Sequence, residues 1–423
     1  MAVRRVAFVV QRCGDEVVGG AESLCLQVAQ RFRAVADVEI LTTCAIDYQT
    51  WRNEYPAGHC YVQGVHVRRF PVDHPRNPAA FDRISRDVAF QLTQAPLERQ
   101  EEWMRSQGPM SSQLFDYLSR YEALYDTIVF FGYLYATTYF GLQRVAHKAV
   151  LVPFAHDEWP IRLPMWERIF DLPRALVFST EEEREFVRRR FPDKAIRGEV
   201  IGVGIEAPQD RNPERFRKRF GIEDPFLLYL GRIEKAKGVD VLFEDFARYR
   251  ERKRMPRKLV MVGREHTHIP KHRDLIVVGQ VSEQEKWDAL SACDLLVMPS
   301  QFESLSLVVL EAWACGKPVL VNARSSVLVG QCRRAQGGVW YDSHDEFEAA
   351  LDLMDRDLRL ALGRQGQEHV GKCYNWDRVI HAYRSLFDAL TPLPFSNGTI
   401  TSNDAQRDPS NPRLDDEARL RYG

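Results

Sequence analysis

Residues 5–43 decide the fold, and they read RVAFVVQRCGDEVVGGAESLCLQVAQRFRAVADVEILTT. The first six, RVAFVV, form a short run of apolar residues that is typical of a buried strand. Residues 21–32 repeat apolar side chains at helical spacing, and VEILTT at 38–43 is a second β-branched run. A strand, a helix and another strand in this order predict a parallel βαβ unit.

The same alternation of strand and helix patterns continues along most of the chain. In the first half we predict further strands at TIVFF (127–131), AVLVPF (149–154) and ALVFS (175–179). A second series has strands at FLLYLG (226–231), KLVMVG (258–263), LIVVG (275–279), LLVMPS (295–300) and KPVLVNA (317–323). The fold class is therefore α/β, with two Rossmann-like, doubly wound domains that face a central cleft.

Residues 192–225 separate the two series, and this segment contains four prolines and several glycines. Such a composition is typical of a hinge between domains. The boundaries that follow are 1–205 for the first domain, 206–374 for the second, 375–390 for a C-terminal helix and 391–423 for a tail. The tail is polar and has no apolar face, so we expect it to be flexible.

Composition excludes several classes of protein. The 423 residues include 58 lysines and arginines against 59 acids, a net charge of −1, so no basic excess indicates nucleic acid as a partner. The eight cysteines contain no CxxC pair, so their spacing predicts neither a zinc site nor a redox dithiol. We expect reduced thiols and a cytoplasmic location.

Neither apolar stretch that could carry the chain to or through a membrane is long enough. The run Val6–Val10 is shorter than the core of a signal peptide, so we expect no secretion. The stretch Thr127–Leu142 is uncharged but contains two glycines and three threonines, and a buried strand followed by a core helix is the better interpretation.

Ligands of doubly wound domains bind at the carboxyl ends of the strands, so reactive groups are expected in the loops that follow strands. The first such loop is RCGDEVVGGAES (12–23), where Gly19 and Gly20 let backbone amides approach an anion at a helix N-terminus. A flexible turn whose glycines only begin the helix explains the same residues. Glu22, in the first turn, suits the helix dipole in either case.

The second loop, LYLGRIEKAKG (228–238), places Arg232 and Lys237 five residues apart. Two cations held across one loop could neutralise a diphosphate without a metal ion. The alternative is an ordinary solvated loop that happens to be charged.

The third loop, PSQFESLSLVVLEAWACGKP (299–318), carries two glutamates at a spacing of eight. Glu303 follows a strand, and Glu311 lies on an otherwise apolar helix. The start of that helix offers the amides of Ser306, Leu307 and Val308 to a phosphate, and a carboxylate two turns on suits a vicinal diol such as ribose. The alternative for Glu311 is a salt bridge to a neighbour, because a carboxylate buried there needs a partner.

The fourth loop, LVPFAHDEWP (151–160), places His156 at a strand end that faces the predicted cleft. A histidine there could donate a hydrogen bond to an oxygen of a sugar or a phosphate, although a lone histidine is also commonly structural. Other motifs are weaker. The GxGxxA match at 202–207 is followed by Pro208 and Pro213 rather than by a helix, and the DxD at 355–357 falls between two helical patterns.

Taken in this order, the four loops resemble those of the retaining family 4 glycosyltransferases of the GT-B fold. The resemblance covers about residues 3–390. Its most specific parts are GRIEKAKG (231–238), the spacing Glu303-x7-Glu311 followed by EAWACGKPVLV, and the N-terminal GGAE (19–22). The ending NWDRVIHAYRSLF (375–387) also looks like the helix that crosses back to the first domain in that fold.

The resemblance implies a role for each motif. Arg232 and Lys237 would hold the phosphates of a nucleotide-sugar donor, Glu311 the ribose and Glu303 the hydroxyls of the transferred sugar, with His156 at that sugar. Gly20 would mark the loop over the donor phosphates and the acceptor. The loop at Gly279 would border the base through backbone contacts. The resemblance also implies a nucleotide-sugar-dependent hexosyl transfer with retention, with no cofactor and no metal.

Two departures from the family pattern stand out. Ser306 occupies a position where family members commonly have glycine, so the approach of the backbone to phosphate could differ here. The segment NARSSVLVGQCRR (322–334) lacks the glycine pair and glutamate that many relatives have there, which puts donor contacts from that turn in doubt.

The expected chemistry is a front-face transfer in which the leaving phosphate accepts the proton of the acceptor hydroxyl. A cationic pair and a helix N-terminus would stabilise the charge that develops on that phosphate. Two other functions remain open: a nucleotide-sugar epimerase of the same two-domain architecture, and a non-catalytic protein that binds nucleotide-sugars. An epimerase would turn over without an acceptor, and a binding protein would release no sugar.

The sequence does not name the sugar, the base, the acceptor or the oligomeric state. The acceptor would be a glycan, a lipid-linked sugar or a small molecule, and its binding site would lie mainly in the first domain. The stretch Asp47–Tyr121 carries no motif that we can interpret. A lipid-linked or polysaccharide acceptor would bring the protein to the inner face of the membrane in a biosynthetic role, and only the arginines at 188–190 hint at such peripheral contact.

Overall fold

The apolar runs along the chain form the strands of two separate sheets. In the computed structural model, which describes residues 4–17, 19–252 and 257–390, the first half contains strands β1 (Arg5–Val9), β2 (Asp37–Thr43), β3 (Gly58–Val62), β4 (Val65–Phe70), β5 (Thr127–Phe131), β6 (Ala149–Val152), β7 (Ala175–Phe178) and β8 (Gly198–Val200). The second half contains β9 (Phe226–Leu230), β10 (Lys258–Val262), β11 (Leu275–Gly279), β12 (Leu295–Met298), β13 (Val319–Asn322) and β14 (Gly338–Tyr341).

Fifteen α-helices accompany these strands in the described residues. In the first half they are α1 (Gly20–Phe32), α2 (Pro78–Gln91), α3 (Leu97–Gln107), α4 (Ser112–Tyr121), α5 (Ala136–Leu142), α6 (Trp166–Ile169) and α7 (Glu181–Arg190). In the second half they are α8 (Pro213–Phe220), α9 (Val239–Arg252), α10 (Glu283–Ala292), α11 (Leu307–Ala314), α12 (Ser326–Ala335), α13 (His344–Leu353), α14 (Arg356–Cys373) and α15 (Trp376–Leu390).

The first sheet has the strand order β3-β4-β2-β1-β5-β6-β7-β8, and only the β3/β4 pair at its edge is antiparallel. β1 lies between β2 and β5, with Val6 opposite Val38 on one side and Thr127 on the other. Central strands with helices on both faces are buried throughout, which explains their continuous apolar sequences. The order changes direction at β1, so the loop after β1 opens at a topological switch point.

The second sheet is wholly parallel, with the order β11-β10-β9-β12-β13-β14. Its order changes direction between β9 and β12. The loops after these two strands therefore diverge to opposite faces and leave a crevice between them. These are the two loops in which the sequence places Lys237 and Glu303.

The predicted strands agree with the observed ones to within a few residues, but several elements were not predicted. These are the β3/β4 hairpin, the short strands β8 and β14, and helices α2–α4, which fill the stretch that carried no interpretable motif. The predicted strand AVLVPF ends early, at Val152, because Pro153 cannot donate to the sheet and Phe154 has a positive φ of 54°.

The last helix packs on the first half of the chain. Phe387 of α15 lies edge-on to Phe32 of α1 at 5.4 Å, and the Arg4 guanidinium contacts the carboxylate of Asp388 at 2.7 Å. The segment at 202–207, predicted as a hinge, is not followed by a helix until Pro213, and a Cβ on its Gly204 would come within 2.3 Å of the Trp376 ring. The predicted tail 391–423 lies outside the described residues, and the domain boundaries stay predictions.

Candidate active site

Three of the four predicted loops meet between the two sheets. The loop after β9 carries Lys237, whose Nζ lies 2.8 Å from Oε1 of Glu303 in the loop after β12. Phe302, next to Glu303, stacks on the imidazole of His156 in the loop after β6, with ring centroids 5.9 Å apart and planes 26° apart. The cleft between the sheets therefore brings a cation, a carboxylate and an imidazole together.

A glycine contact fixes the pairing of Lys237 with Glu303. Lys237 ends a 3₁₀ turn, and the next residue, Gly238, has a φ of 73°. A Cβ on Gly238 would lie 2.5 Å from the backbone oxygen of Pro299, so only glycine lets the two loops approach this closely. The carbonyl of Pro299 also accepts a hydrogen bond from Nδ2 of Asn322 at 2.8 Å, which holds this loop against β13.

Arg232 is on the same loop as Lys237 but points to other partners. Its guanidinium contacts Oε1 of Glu234 at 3.1 Å and lies 5.1 Å from the centre of the Tyr48 ring, which belongs to the first half of the chain. The two cations predicted to clamp a diphosphate therefore have separate anchors, Glu234 with Tyr48 for Arg232 and Glu303 for Lys237.

His156 has an open hydrogen-bonding position. Its Nε2 lies 3.7 Å from Oε1 of Glu158, while its Nδ1 is buried and has no hydrogen-bond partner among the described residues. Buried polar atoms are normally paired, so an orphaned ring nitrogen beside the Glu303 loop is a candidate contact for a bound ligand.

Glu183 holds the His156 loop in place, and sequence reasoning missed it. Its carboxylate accepts hydrogen bonds from the amides of Ala155 at 2.7 Å and Ser179 at 2.6 Å, so it links the loops after β6 and β7. Burial raises the pKa of Glu183 to about 8, with the backbone hydrogen bonds acting against that shift. A Thr-x-x-Glu capping pattern at 180–183 was the only sequence signal for it.

Ser306 begins α11 with a φ of 65° and a ψ of 83°, a left-handed conformation. A side chain in this region is strained, so serine carries a backbone cost at this position that glycine would not. The amides of Leu307 and Val308 lie in the first turn of the helix, where backbone donors have no intrahelical partner. The helix is eight residues long and ends before Gly316, whose φ is 68°.

Glu311 has the ion-pair partner that the sequence left open. Nζ of Lys286 lies 2.6 Å from its Oε1 and 2.5 Å from Oε1 of Glu283. Burial raises the pKa of Glu311, while the neighbouring ammonium opposes that shift. Contact with ribose and contact with Lys286 are compatible, because a carboxylate has two oxygens, and the ribose role stays a prediction.

The glycines of the first loop have different environments. A Cβ on Gly19 would lie 2.2 Å from the Glu22 carboxylate, whereas one on Gly20 would meet nothing within 4 Å. Glu22 is not simply a helix-dipole residue, because it forms a buried ion pair with Arg12, whose Nε donates to it at 2.8 Å. A side chain at Gly19 would displace the Glu22 carboxylate from its present position, and Gly20 leaves open space at the N-terminus of α1.

Glycines also bring together the loops after β9, β10 and β11. A Cβ on Gly263 would lie 1.9 Å from the oxygen of Gly231, and the amide of Gly263 donates to the oxygen of Gly279 at 2.8 Å. Gly279 itself has a φ of 80° and open space around it. Backbone at Gly279 is therefore not covered by neighbouring atoms on its Cβ side, and its contact with a base stays a prediction.

Further contacts that the sequence did not reveal join the two halves. Oγ1 of Thr180 donates to the oxygen of Ser304 at 3.1 Å, one residue from Glu303. Arg334 of α12 forms a two-pronged ion pair with Glu182 of α7, and its Nη2 lies 3.0 Å from Oε2. These pairs lie far apart in sequence, so only the folded chain shows them.

Side chains that could bind a metal lie away from this site. Among the residues that the structure describes, the group close enough to share a cation is Glu39, His59 and His66, on β2 and the edge hairpin. Nε of Arg68 already lies 2.9 Å from Glu39, which disfavours a cation there. The DxD sequence has a structural role, because Asp355 caps α14 by accepting the amide of Leu358 at 2.8 Å.

Comparisons with known proteins agree with this architecture. Residues 210–369 match the model of the family described as glycosyl transferases group 1. The chain is 26% identical over 254 residues to a D-inositol 3-phosphate glycosyltransferase of Corynebacterium jeikeium, which is 53% of this chain and 60% of that protein. It is 24% identical over 205 residues to a mannosylfructose-phosphate synthase of Agrobacterium fabrum. This match covers 44% of this chain and 45% of that protein.

Solved structures show the same fold over nearly all of the chain. The sucrose-phosphate synthase of Thermosynechococcus elongatus superposes with a TM-score of 0.69 at 19% identity, covering 91% of this chain and 100% of that one. Anabaena HepE in complex with UDP and glucose gives a TM-score of 0.64 at 13% identity, with 91% and 100% covered. The chain has the GT-B fold. Among the described helices, none combines the length and the apolar character that crossing a membrane requires.

Proposed function

We propose that this protein is a retaining glycosyltransferase that moves a sugar from a nucleotide-sugar to a hydroxyl group of a glycan, a lipid-linked sugar or a small molecule. The observation that carries the proposal is the ion pair between Lys237 and Glu303 beside His156, whose Nδ1 is orphaned. A cation, a carboxylate and a ring nitrogen at one point of an interdomain cleft suit a substrate with a phosphate, sugar hydroxyls and an anomeric oxygen.

Each group has a part in donor binding. Lys237 and Arg232 neutralise the diphosphate, and the first-turn amides of α11, at Ser306, Leu307 and Val308, add backbone donors. Glu303 accepts hydrogen bonds from hydroxyls of the transferred sugar. Lys237, whose Nζ lies 2.8 Å from Oε1 of Glu303, holds the carboxylate in position. His156 donates from its ring to the sugar or to its leaving oxygen.

The proposal places the nucleoside end at Glu311 and Gly279. Glu311 holds the ribose hydroxyls through the oxygen that Lys286 leaves free, and backbone at Gly279 borders the base. Gly19 and Gly20 place the N-terminus of α1 against the donor phosphates and the acceptor. The buried Arg12–Glu22 ion pair fixes this turn.

The proposed reaction breaks the bond between the anomeric carbon and the phosphate oxygen and forms a bond from that carbon to the acceptor oxygen on the same face. The acceptor proton passes to the leaving phosphate, so the nucleoside diphosphate departs with the electron pair of the broken bond. Negative charge grows on the phosphate in the transition state, and Lys237, Arg232 and the helix N-terminus stabilise it there. The protein cations perform this neutralisation in the proposal, so no divalent ion is assigned to the donor site.

The names of the similar proteins support this donor class. HepE was solved with UDP and with UDP-glucose, and a trehalose-6-phosphate synthase of Escherichia coli with UDP-2-fluoro glucose. The chain spans about 60% of the length of the D-inositol 3-phosphate glycosyltransferase that it matches. Its own donor and acceptor therefore have to be determined by experiment.

The deciding experiment measures thermal stabilisation of the purified protein by UDP, GDP, ADP and dTDP and their sugars, with EDTA present throughout. We expect one nucleotide series to raise the melting temperature in EDTA, and the sugar of that series to be transferred with its anomeric configuration kept. Stabilisation that requires a divalent ion would contradict the metal-independent clamp. An epimer formed without acceptor would favour an epimerase, and tight binding without sugar release under any acceptor would favour a binding protein.

A further inference from the structure

A loop of the first half of the chain reaches across the cleft to the donor side. This 47–51 loop follows β2, in the stretch where the sequence carried no interpretable motif. Its backbone is held on both sides. Asp47 accepts hydrogen bonds from the amide and hydroxyl of Thr50 at 2.9 and 2.7 Å, and Arg76 donates to the backbone oxygens of Tyr48 and Gln49, the latter at 2.7 Å.

Trp51 anchors the end of the loop in the core. Its side chain is fully buried, its indole N–H donates to the oxygen of Gln107 at 2.7 Å, and its ring meets Tyr135 edge-on at 5.9 Å. A loop held by an arginine, an aspartate and a buried tryptophan presents its remaining side chains in one geometry. Tyr48 is therefore presented to the cleft by a rigid support.

Tyr48 contacts three residues of the second half. Its ring centre lies 5.1 Å from the guanidinium carbon of Arg232, its hydroxyl donates to Oε2 of Glu234 at 3.4 Å, and its ring meets that of His266 edge-on at 5.9 Å. Nε2 of the neighbouring Gln49 lies 3.3 Å from Nδ1 of His266. The tip of this loop is thus seated on the loops after β9 and β10.

The mode of contact with Arg232 is informative. An aromatic face attracts a guanidinium through its π-electrons, and the Tyr48 hydroxyl also lies within hydrogen-bonding reach of the Arg232 side chain. Nη2 of Arg232 lies 3.1 Å from Oε1 of Glu234, so the carboxylate occupies only some of the N–H donors, and the Arg232 side chain is 41% exposed. Tyr48 and Glu234 therefore fix the orientation of the guanidinium and leave donors for a bound anion.

We propose that Tyr48 is a positioning residue that holds Arg232 toward the diphosphate of the donor, so that a loop of the acceptor half completes the donor clamp. The proposal rests on the proposed function, since it assigns Arg232 to donor phosphates. It predicts that affinity for a nucleoside diphosphate depends on a side chain that does not touch the nucleotide. Affinity for the nucleoside alone does not depend on it.

The test measures dissociation constants by calorimetry for the diphosphate that stabilises the protein best and for the matching nucleoside. The variants are Tyr48→Ala, Tyr48→Phe, Arg232→Ala and the Tyr48→Ala/Arg232→Ala double variant. Tyr61→Ala is the control, because this tyrosine is 74% exposed on the edge hairpin. Circular dichroism and melting temperature establish that each variant is folded.

We expect Tyr48→Ala to weaken diphosphate binding by about three- to thirtyfold, the range of a cation–π contact between exposed and desolvated settings. Tyr48→Phe keeps the ring and loses only the hydroxyl contacts with Glu234 and Arg232, so it should lose less affinity than Tyr48→Ala. The nucleoside should bind all variants alike, and Tyr48→Ala should add nothing in the Arg232→Ala background.

Three results would overturn the inference alone, and the first two are unchanged diphosphate affinity in Tyr48→Ala and equal losses from Tyr48→Ala in the presence and absence of Arg232. Equal loss of nucleoside and diphosphate affinity would also overturn it, because that is the signature of a general structural role. If wild type binds none of the four diphosphates, the proposed function fails and the role of Tyr48 fails with it. The wild-type titration therefore separates the two failures.

Discussion

The tight contact at Gly238 allows a quantitative prediction for Gly238→Ala. Gly238 has a φ of 73°, and a Cβ there would lie 2.5 Å from the oxygen of Pro299, so the two loops must separate by about 0.9 Å to restore an ordinary 3.4 Å contact. An alanine in the left-handed region costs about 1 kcal/mol, and overpacking against a fixed backbone adds about 1–3 kcal/mol. The predicted loss of unfolding free energy is therefore about 2–4 kcal/mol.

Gly221 provides a matched control for this substitution. It ends α8 with a φ of 64°, and a Cβ there would meet nothing within 4 Å, so Gly221→Ala carries the backbone cost without the contact. Urea unfolding followed by tryptophan fluorescence gives both values. The difference between the two variants isolates the contact with Pro299 and should be at least about 1 kcal/mol.

The same displacement should be visible in catalysis. Lys237 is adjacent to Gly238, and moving a catalytic group by about 1 Å can cost about a hundredfold in rate. We expect Gly238→Ala to lose about that factor in sugar transfer and Gly221→Ala to lose little. Equal stabilities and equal rates for the two variants would refute the reasoning, because the close approach of the two loops would then have no energetic consequence.

Three further predictions concern single side chains. Lys237→Ala should lower turnover by about a hundredfold or more with an unchanged melting temperature. Lys235→Ala, which removes an exposed lysine on the same turn, should resemble wild type in the same kinetic assay. Near-normal turnover of Lys237→Ala would exclude its role in holding the diphosphate. Ser306→Gly should raise the free energy of unfolding by about 1 kcal/mol in urea titrations, since it relieves a φ of 65°, and a decrease would show that the serine side chain compensates for the strain. The pKa of Glu183 is about 8 in the folded protein, which is above its value in the unfolded chain. Between about pH 5 and 8 the Glu183 carboxyl is therefore more protonated in the folded state than in the unfolded state. The stability that this group contributes is lost as the pH rises through that window. Urea titrations at pH 5.5 and 7.5 should therefore show a smaller decrease for Glu183→Gln than for wild type, and parallel decreases would rule out this titration.

Sequence patterns identified most of the sheet, because buried parallel strands are continuous apolar runs and their helices repeat at 3.6 residues. The β3/β4 hairpin was missed because one face of β3 is exposed. Exposed residues such as His59 and Tyr61 interrupt the continuous apolar run that is typical of a buried strand. Helices α2 and α3 were missed for a related reason, since each buries only two apolar side chains and exposes another, Phe90 and Leu97 respectively. Helix α4 buries four of its ten residues, so its apolar spacing was a usable signal that was overlooked.

The sequence also placed the candidate residues in the loops after strands, where the carboxyl ends of parallel strands meet. It could not tell which of them touch. The pairing of Lys237 with Glu303, across 66 positions, depends on the crevice between β9 and β12 and on the glycine contact beneath it. The Lys286 partner of Glu311 and the Glu183 link behind His156 carry no motif, because a hydrogen-bonding partner is selected by proximity in space.

What the sequence determined by itself was the class of fold and the identity of the loops that carry charge, since these follow from periodicity and local chemistry. Only the tertiary structure decided which charges are paired, which ring nitrogen is left without a partner, and that Tyr48 of one half lies on Arg232 of the other. Such contacts join residues from separate sheets, and they exist only after both cores have formed and the chain has brought the two halves together.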